Sequence, residues 1–408
     1  MRKKSLLVLM LCLLAPALMF AQTYNIVIKG GHVIDPKNNI DGPMDIAVKD
    51  GKIALVARNI DAKEGIQVVD ATGMYVTPGL IDNHVHVFHG PNLNNGDIMY
   101  MNGPNSVPPD GFTFRVGVTT VVDAGSSGWK SFPDFKRQII DISQTRVLAY
   151  LNIVGIGMWE GPFENNVKDM DARRTGEFAK ANSEYIVGIK LAHFAERNPT
   201  PVIRAVEAGV IADMPAMFDH GRTQLDSLLL YYLRPGDIYA HCFTRNTGQN
   251  IPTMEAARAR GVLFEVGHGG GSFGFENAIP LTKAGFFPDV ISTDLHISSM
   301  NGAMKDQLTC MDKMIALGMD LKSVINASTW KTAQIINRTE LGHLTVGAEA
   351  DIAILSIRTG KFGLFDTRGA KIETDKKLEC QMTIRAGRIV YDLNGIANPL
   401  VVPRPVRQ

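Results

Sequence analysis

Between about residues 79 and 340 the sequence alternates short, continuously apolar runs with longer amphipathic stretches, and this constrains the fold more than any other feature. The apolar runs are Leu80–Val87, Thr119–Ala124, Val147–Ile153, Tyr185–Leu191, Pro215–Phe218, Asp237–His241, Val262–Val266 and Val290–Thr293. Helix-like stretches such as Phe132–Ser143, Pro201–Ala212, Thr253–Arg260 and Met304–Leu317 fall between them. A strand that is apolar all along needs cover on both faces, so such strands alternating with helices imply a parallel sheet with helices packed over it. Eight units of this kind fit an α/β fold, a (β/α)8 TIM-like barrel, better than an open doubly wound sheet. No G-x-G-x-x-G turn opens the first helix, which weakens a dinucleotide-binding alternative.

The flanks read differently. Asn25–Lys29, His32–Ile34, Asp45–Val48 and Ile53–Val56 are short, apolar-alternating or β-branched segments separated by Gly30-Gly31, Pro36, Gly42-Pro43 and Asp50-Gly51, a pattern of strands and tight turns. Asp351–Leu355 and Gln381–Arg385 repeat this style at the other end, and the stretch 385–390 echoes 29–34. Residues 22–78 and 341–408 are therefore expected to form one small β-sandwich domain from both chain ends, with the barrel, 79–340, inserted between them. The flanks hold no titratable cluster, so their expected role is structural.

Arg2, Lys3 and Lys4 precede an apolar run from Leu6 to Phe20 that ends near Ala21-Gln22, the pattern of a signal peptide over residues 1–21. The run falls short of the roughly 20 residues of a spanning helix. An exported protein, periplasmic or secreted, is expected, with no stable membrane insertion after signal removal. Lys+Arg 42 against Asp+Glu 41 gives +1, and about −2 without the signal, which offers no electrostatic case for nucleic acid. The remaining cysteines, Cys242, Cys310 and Cys380, are odd in number and lack C-x-x-C spacing, which argues against a disulfide framework or a cysteine-built zinc site. A homo-oligomer is compatible with this composition.

The histidines carry the chemistry. His84 and His86 lie two apart near the end of the first barrel strand, so a period of two points both imidazoles to one side. Two converging imidazoles suit a divalent cation. His220, His241 and Asp294 fall at the ends of predicted strands five, six and eight, and catalytic groups in such barrels gather at C-terminal strand ends. Lys190 interrupts the otherwise apolar fourth strand. A buried ammonium is costly, so the side chain either snorkels to the barrel mouth or, as a neutral amine, reacts with carbon dioxide to form a carbamate.

With these residues the chain resembles the amidohydrolase superfamily of metal-dependent hydrolases. The resemblance covers nearly all of the sequence after the signal, through Pro78-Gly79-Leu80-Ile81-Asp82 leading into His84-Val85-His86, through Gly117–Asp123, and through Gly342-His343-Leu344 with Gly347, Ala350 and Asp351. It implies metal ligation by His84, His86, His220, His241 and Asp294, with N6-carboxylated Lys190 bridging two divalent metal ions, zinc by default. Gly267–Phe273 and Ser292–His296 are similar to a dihydroorotase-like deacetylase branch. Dihydroorotases carry an arginine two residues after the second histidine; here that position is Phe88.

The function expected is a metal-dependent hydrolase that cleaves an amide or ester bond, deacetylase-like, of a small acylated substrate. Asp294 is the expected catalytic acid–base as well as a ligand. His193, His268, His296 and Arg245 are open as substrate contacts or as supports of the ligands. The alternatives are a cyclic amide hydrolase, dihydroorotase- or dihydropyrimidinase-like, and a non-catalytic barrel that binds a ligand.

Overall fold

The computed structural model describes residues 23–88, 106–159, 163–196, 198–219, 226–244 and 251–399. The expected signal peptide, His220 and Arg245 lie outside these residues. The chain opens with β1 (Tyr24–Asp35), β2 (Ile40–Lys49), β3 (Lys52–Ala57), β4 (Gly65–Asp70) and β5 (Tyr75–Pro78), and closes with β13 (Ile352–Phe365), β14 (Lys371–Arg385) and β15 (Arg388–Asp392). Between them run β6 (Leu80–Val85), β7 (Val118–Gly128), β8 (Arg146–Asn152), β9 (Ile186–Leu191), β10 (Ala216–Phe218), β11 (Ile238–Tyr239) and β12 (Leu263–Phe264), with helices in the connections.

Strands β6 to β12 pair in sequence order, each parallel to the next. The sheet curls until its edges meet: residues 290–295 make single parallel bridges to Glu265, just past β12, and to Val85 on β6. This is the TIM-like barrel with its eighth position held by isolated bridges rather than by the strand expected at Val290–Thr293. Side chains explain the difference. Ser292 Oγ bonds Glu265 and accepts from the Gly267 N–H, while Thr293 donates through N and Oγ1 to Asp82 at 3.0 and 2.6 Å. These bonds join the eighth position to both its neighbours in place of a continuous ladder.

The fully buried strands carry the core inside and outside the ring. Ile81, Val122, Leu148, Tyr150, Val187, Met217, Ile238 and Val290 pack in one cluster, while Val121, Ala149, Ile189, Phe218 and Tyr239 on alternate positions pack in the larger cluster with the helices. The expected helix Phe132–Ser143 is instead a short α-helix, Phe132–Phe135, running into a π-turn over Lys136–Ile140.

The two chain ends share one eight-stranded sheet in the order β15-β14-β13-β5-β1-β2-β3, with β4 on β1. A sandwich was expected, and the strand pairing is that of a single mixed sheet. Ile28, Ile46, Ile53, Val76, Ile352, Ile354 and Met382 from across it share one buried cluster. It meets the barrel through Arg146, which donates to Asp351 Oδ2 at 2.8 Å and pairs with Glu349 at 2.9 Å. Leu378 N also donates to Asp312 Oδ1, on the helix Gln307–Ala316, at 2.8 Å. Among the described residues no helix is long and apolar enough to cross a membrane.

Candidate metal centre

His84 is the fifth residue of β6, and its imidazole is buried against the barrel axis. Its Nδ1 lies 3.1 Å from Glu265 Oε1. A carboxylate accepts, so Nδ1 carries the hydrogen and the Nε2 lone pair points the other way. There it finds Lys190 Nζ at 3.3 Å and Asp294 Oδ1 at 3.5 Å. His86, one residue past β6, aims its Nε2 at the same Asp294 Oδ1, 3.0 Å away, while its Nδ1 faces Ser126 Oγ at 3.2 Å. Ser126 is itself held through its backbone N–H by Asp123, which also accepts from Val87 N. Four of the six expected ligands, His84, His86, Lys190 and Asp294, therefore converge at the C-terminal rim.

His241 joins them from beyond β11, its ring centroid 5.2 Å from that of His84. Its Nδ1 donates to Gly267 O at 2.6 Å, and its Nε2 faces Asp219 Oδ2 at 3.2 Å. The Nε2 of His193 is 3.3 Å from that same Oδ2, and its Nδ1 is 2.9 Å from Glu164 Oε2. His296 stands at the edge of the cluster, 6.4 Å from His86 between ring centroids. His268 does not face the opening. It stacks on Phe273 at 4.6 Å, and its Nε2 is 2.5 Å from Lys313 Nζ; burial, then Lys313, lower its pKa to about 3.

Backbone strain concentrates here. His193, His241 and Asp294 all have left-handed φ, of 53°, 59° and 52°, a conformation that costs a non-glycine residue free energy and recurs at functional sites. Two glycines clear the space. A Cβ on Gly269 would run into Asp294 Oδ2, and one on Gly125 would lie 2.6 Å from Lys190 Cγ.

The charges are strongly coupled. Burial alone would raise the pKa of Asp294, but His84, His86 and His241 outweigh it and hold the carboxylate well below its usual range. Burial, then Lys190, lower His84. For His241 burial is outweighed by Asp219, which raises it to about 9. Asp82, which ties β6 to Thr293, is pushed up to about 7 by burial.

The residues fit a divalent cation. His84, His86 and Asp294 each offer a donor atom within 4.8 Å of the others. Donors 2.0–2.1 Å from a tetrahedral cation stand roughly 3.3 Å apart, close to the 3.0 and 3.5 Å separations of the two Nε2 atoms from Asp294 Oδ1. His84, His241 and Glu265 make a second group of donors within 4.8 Å. There, however, both Nδ1 atoms are spent as donors, to Glu265 and to Gly267 O. Glu265 thus orients His84, the usual part of a carboxylate behind a ligating histidine, and its other oxygen is buried without a hydrogen-bond partner.

Glu265, Asp219 and Glu164 were not singled out in the sequence. Glu265 is a lone acid in the apolar run Val262–Val266, the same signal that drew attention to Lys190. Asp219 immediately follows an apolar strand and precedes the histidine that was chosen instead.

Comparison with known proteins agrees with this geometry. The Amidohydrolase family matches residues 271–390. A deacetylase from Brucella anthropi is 34% identical over 345 residues, which cover 81% of this chain and 83% of that protein. A deacetylase from Enterococcus faecalis is 30% identical over 392 residues, 90% of this chain and 99% of that protein. Among solved structures, one of an adenine deaminase superposes with a TM-score of 0.81 at 28% identity, and one of a dihydroorotase with 0.80 at 29%. The superpositions cover 90% of this chain and 100% and 99% of those chains.

Proposed function

The chain belongs to the amidohydrolase family and is a hydrolytic enzyme, and we propose that it removes the acyl group from a small acylated substrate, as an amide or an ester, with two divalent cations. The reading is carried by one observation: the Nε2 atoms of His84 and His86 converge on Asp294 Oδ1 beside Lys190. Similarity to deacetylases over most of the chain supports the acyl substrate.

His84, His86, Lys190 and Asp294 would hold the first cation, and Lys190 and His241 would face the second. Lys190 takes part as a carbamate: its amine adds to the carbon of carbon dioxide and releases one proton, which makes the side chain an anion with two oxygens. Zinc suits the imidazole and carboxylate donors. Bound divalent cations supply Lewis acidity, lowering the pKa of water toward roughly 7 and polarising a carbonyl. Asp294 accepts the proton of the attacking water through its carboxylate and delivers it to the leaving nitrogen or oxygen. Its Oδ1 faces both histidines, and residue 294 holds a left-handed φ of 52°.

Cyclic amide hydrolysis, suggested by the dihydroorotase superposition, is disfavoured by Phe88. The position at which dihydroorotases carry an arginine is here a fully buried ring stacked on Phe135 at 5.1 Å, so it offers no cation to a substrate carboxylate.

A screen of N-acyl and O-acyl acids against the zinc-loaded protein, with Asp294→Asn as control, tests the reading. Hydrolysis of at least one acyl substrate, lost in the variant while much of the metal stays bound, is expected. Full activity in Asp294→Asn would remove the acid–base assignment, and a metal-free wild type that still turns over would remove the whole reading.

A further inference from the structure

We propose that Lys313 is a positioning residue of the candidate metal centre: through His268 it pins the glycine-rich segment 267–271, whose backbone fixes Asp294 and His241. This rests on the reading above that Asp294 and His241 serve a metal site, and it assigns a residue that supports them from behind.

The segment Gly267-His268-Gly269-Gly270-Gly271 follows β12 and carries one side chain. It meets the site three times. Gly267 O accepts from His241 Nδ1 at 2.6 Å, Gly269 packs against Asp294 Oδ2, and a Cβ on Gly270 would lie 3.6 Å from His296 Cε1. Gly267 and Gly269 hold left-handed φ of 45° and 51°. Glycine has the freest backbone of any residue, so a run with four of them keeps one shape only where outside contacts hold it.

His268 supplies that hold. It and Lys313, on the helix Gln307–Ala316, are both shut off from solvent. Lys313 Nζ donates to Ala303 O at 2.8 Å and stands 2.5 Å from His268 Nε2, while His268 Nδ1 lies 3.0 Å from Gly269 O. A carbonyl only accepts, so Nδ1 carries the hydrogen and Nε2 presents its lone pair to Lys313. The imidazole is stacked on Phe273 with ring centroids 4.6 Å apart and an interplanar angle of 7°. Lys313 thus fixes the ring's tautomer, and the ring fixes the peptide that runs past Asp294.

Packing alone does not explain this lysine. Its bonds go to a ring nitrogen and a carbonyl rather than to a carboxylate, and burial lowers its pKa to about 8. A buried ammonium costs stability that a methionine of similar length would not. The far end of the loop is tied separately, by the small domain. Thr367, between β13 and β14, donates through Oγ1 to Phe273 O at 2.7 Å, and Asp366 accepts from Phe275 N at 2.9 Å.

Hydrogen exchange and zinc affinity test this together, on variants checked for folding by circular dichroism. In Lys313→Met the amides of 267–269, bonded to Ser292 and Thr293, should exchange at least about tenfold faster than in wild type, with those of β8 unchanged. Zinc affinity, by competition with a chelator, should fall about tenfold, and the visible spectrum of the cobalt-substituted protein should shift. His268→Leu should give the same changes, and the double variant no more than either single one, because the two side chains act as one unit. Where Lys313→Met does not fold, Lys313→Gln, which keeps a polar head of shorter reach, is judged by the same criteria. Unaltered exchange in the folded variant would overturn the proposal. Faster exchange with unaltered zinc affinity and cobalt spectrum would also overturn it, since the pin would then serve the fold alone. A wild type that binds no zinc would instead remove the metal reading on which the proposal stands.

Discussion

Glu265 Oε1 lies 3.1 Å from Nδ1 of His84, and both side chains are shut off from solvent. This pair fixes which nitrogen of His84 faces the cluster. Burial favours protonation of Glu265, but His84 outweighs it and keeps the acid ionised. Glu265→Gln keeps the shape but weakens the hold on the ring, and the new amide is free to present its N–H to Nδ1. The expected result is a folded protein whose metal affinity, by competition with a chelator, falls about 10–100-fold.

Gly269 allows Asp294 to sit where it does. A Cβ there would collide with Asp294 Oδ2, and the φ of 51° is unfavourable for alanine in any case. Gly269→Ala should cost about 1–2 kcal/mol of stability through the backbone alone. Displacement of Asp294 should lower kcat far more than that loss of stability explains, with KM little changed.

Removing the metals should destabilise as well as inactivate. The candidate ligands come from β6, β9 and residues 290–295, so a shared cation would add a further tie between these segments. At a free metal concentration of about 1,000 Kd the stabilisation is about 4 kcal/mol. Dialysis against a strong chelator should therefore lower Tm, and zinc should restore both Tm and activity. An unchanged Tm in fully metal-free protein would contradict this.

Asp312 supplies a pH dependence remote from the candidate metal centre. Burial pushes its pKa up to about 7, and one of its oxygens is buried without a partner while the other accepts from Leu378 N. An acid whose folded pKa lies above its unfolded value binds its proton more tightly in the folded state. Its contribution is thus full below about pH 4 and is lost as the pH rises to about 7, by at most about 1.4 kcal/mol per pH unit. In Asp312→Asn this loss disappears, so Tm of the variant minus Tm of wild type should grow between pH 5 and pH 8. A difference independent of pH would show that Asp312 does not titrate in this window.

The barrel was legible because its strands are buried on both faces and so read as largely apolar runs, from Leu80 to Phe264. The eighth run, Val290–Thr293, carries the same apolar start, but Ser292 and Thr293 spend their side chains on Glu265 and Asp82 and no ladder forms. His84 and His86 were legible from strand periodicity. Glu265 and Asp219 were not, since residue type says nothing of which neighbour a carboxylate faces once strands curl together. The flanking strands were recognisable individually, yet their pairing into one sheet depends on contacts between positions about 300 residues apart, such as Val76 with Ile354.

The left-handed turns at His193, His241 and Asp294 also limit how this enzyme can drift. Each such turn inverts the local handedness of an L-residue chain, so the side chain it carries cannot slide along to an adjacent position by a one-residue slip. Insertions or deletions within a residue or two of these corners should be poorly tolerated even where the outer loops accept long additions. Asparagine, which adopts this conformation at little cost, is the replacement by which the corner's shape and its chemistry can be separated.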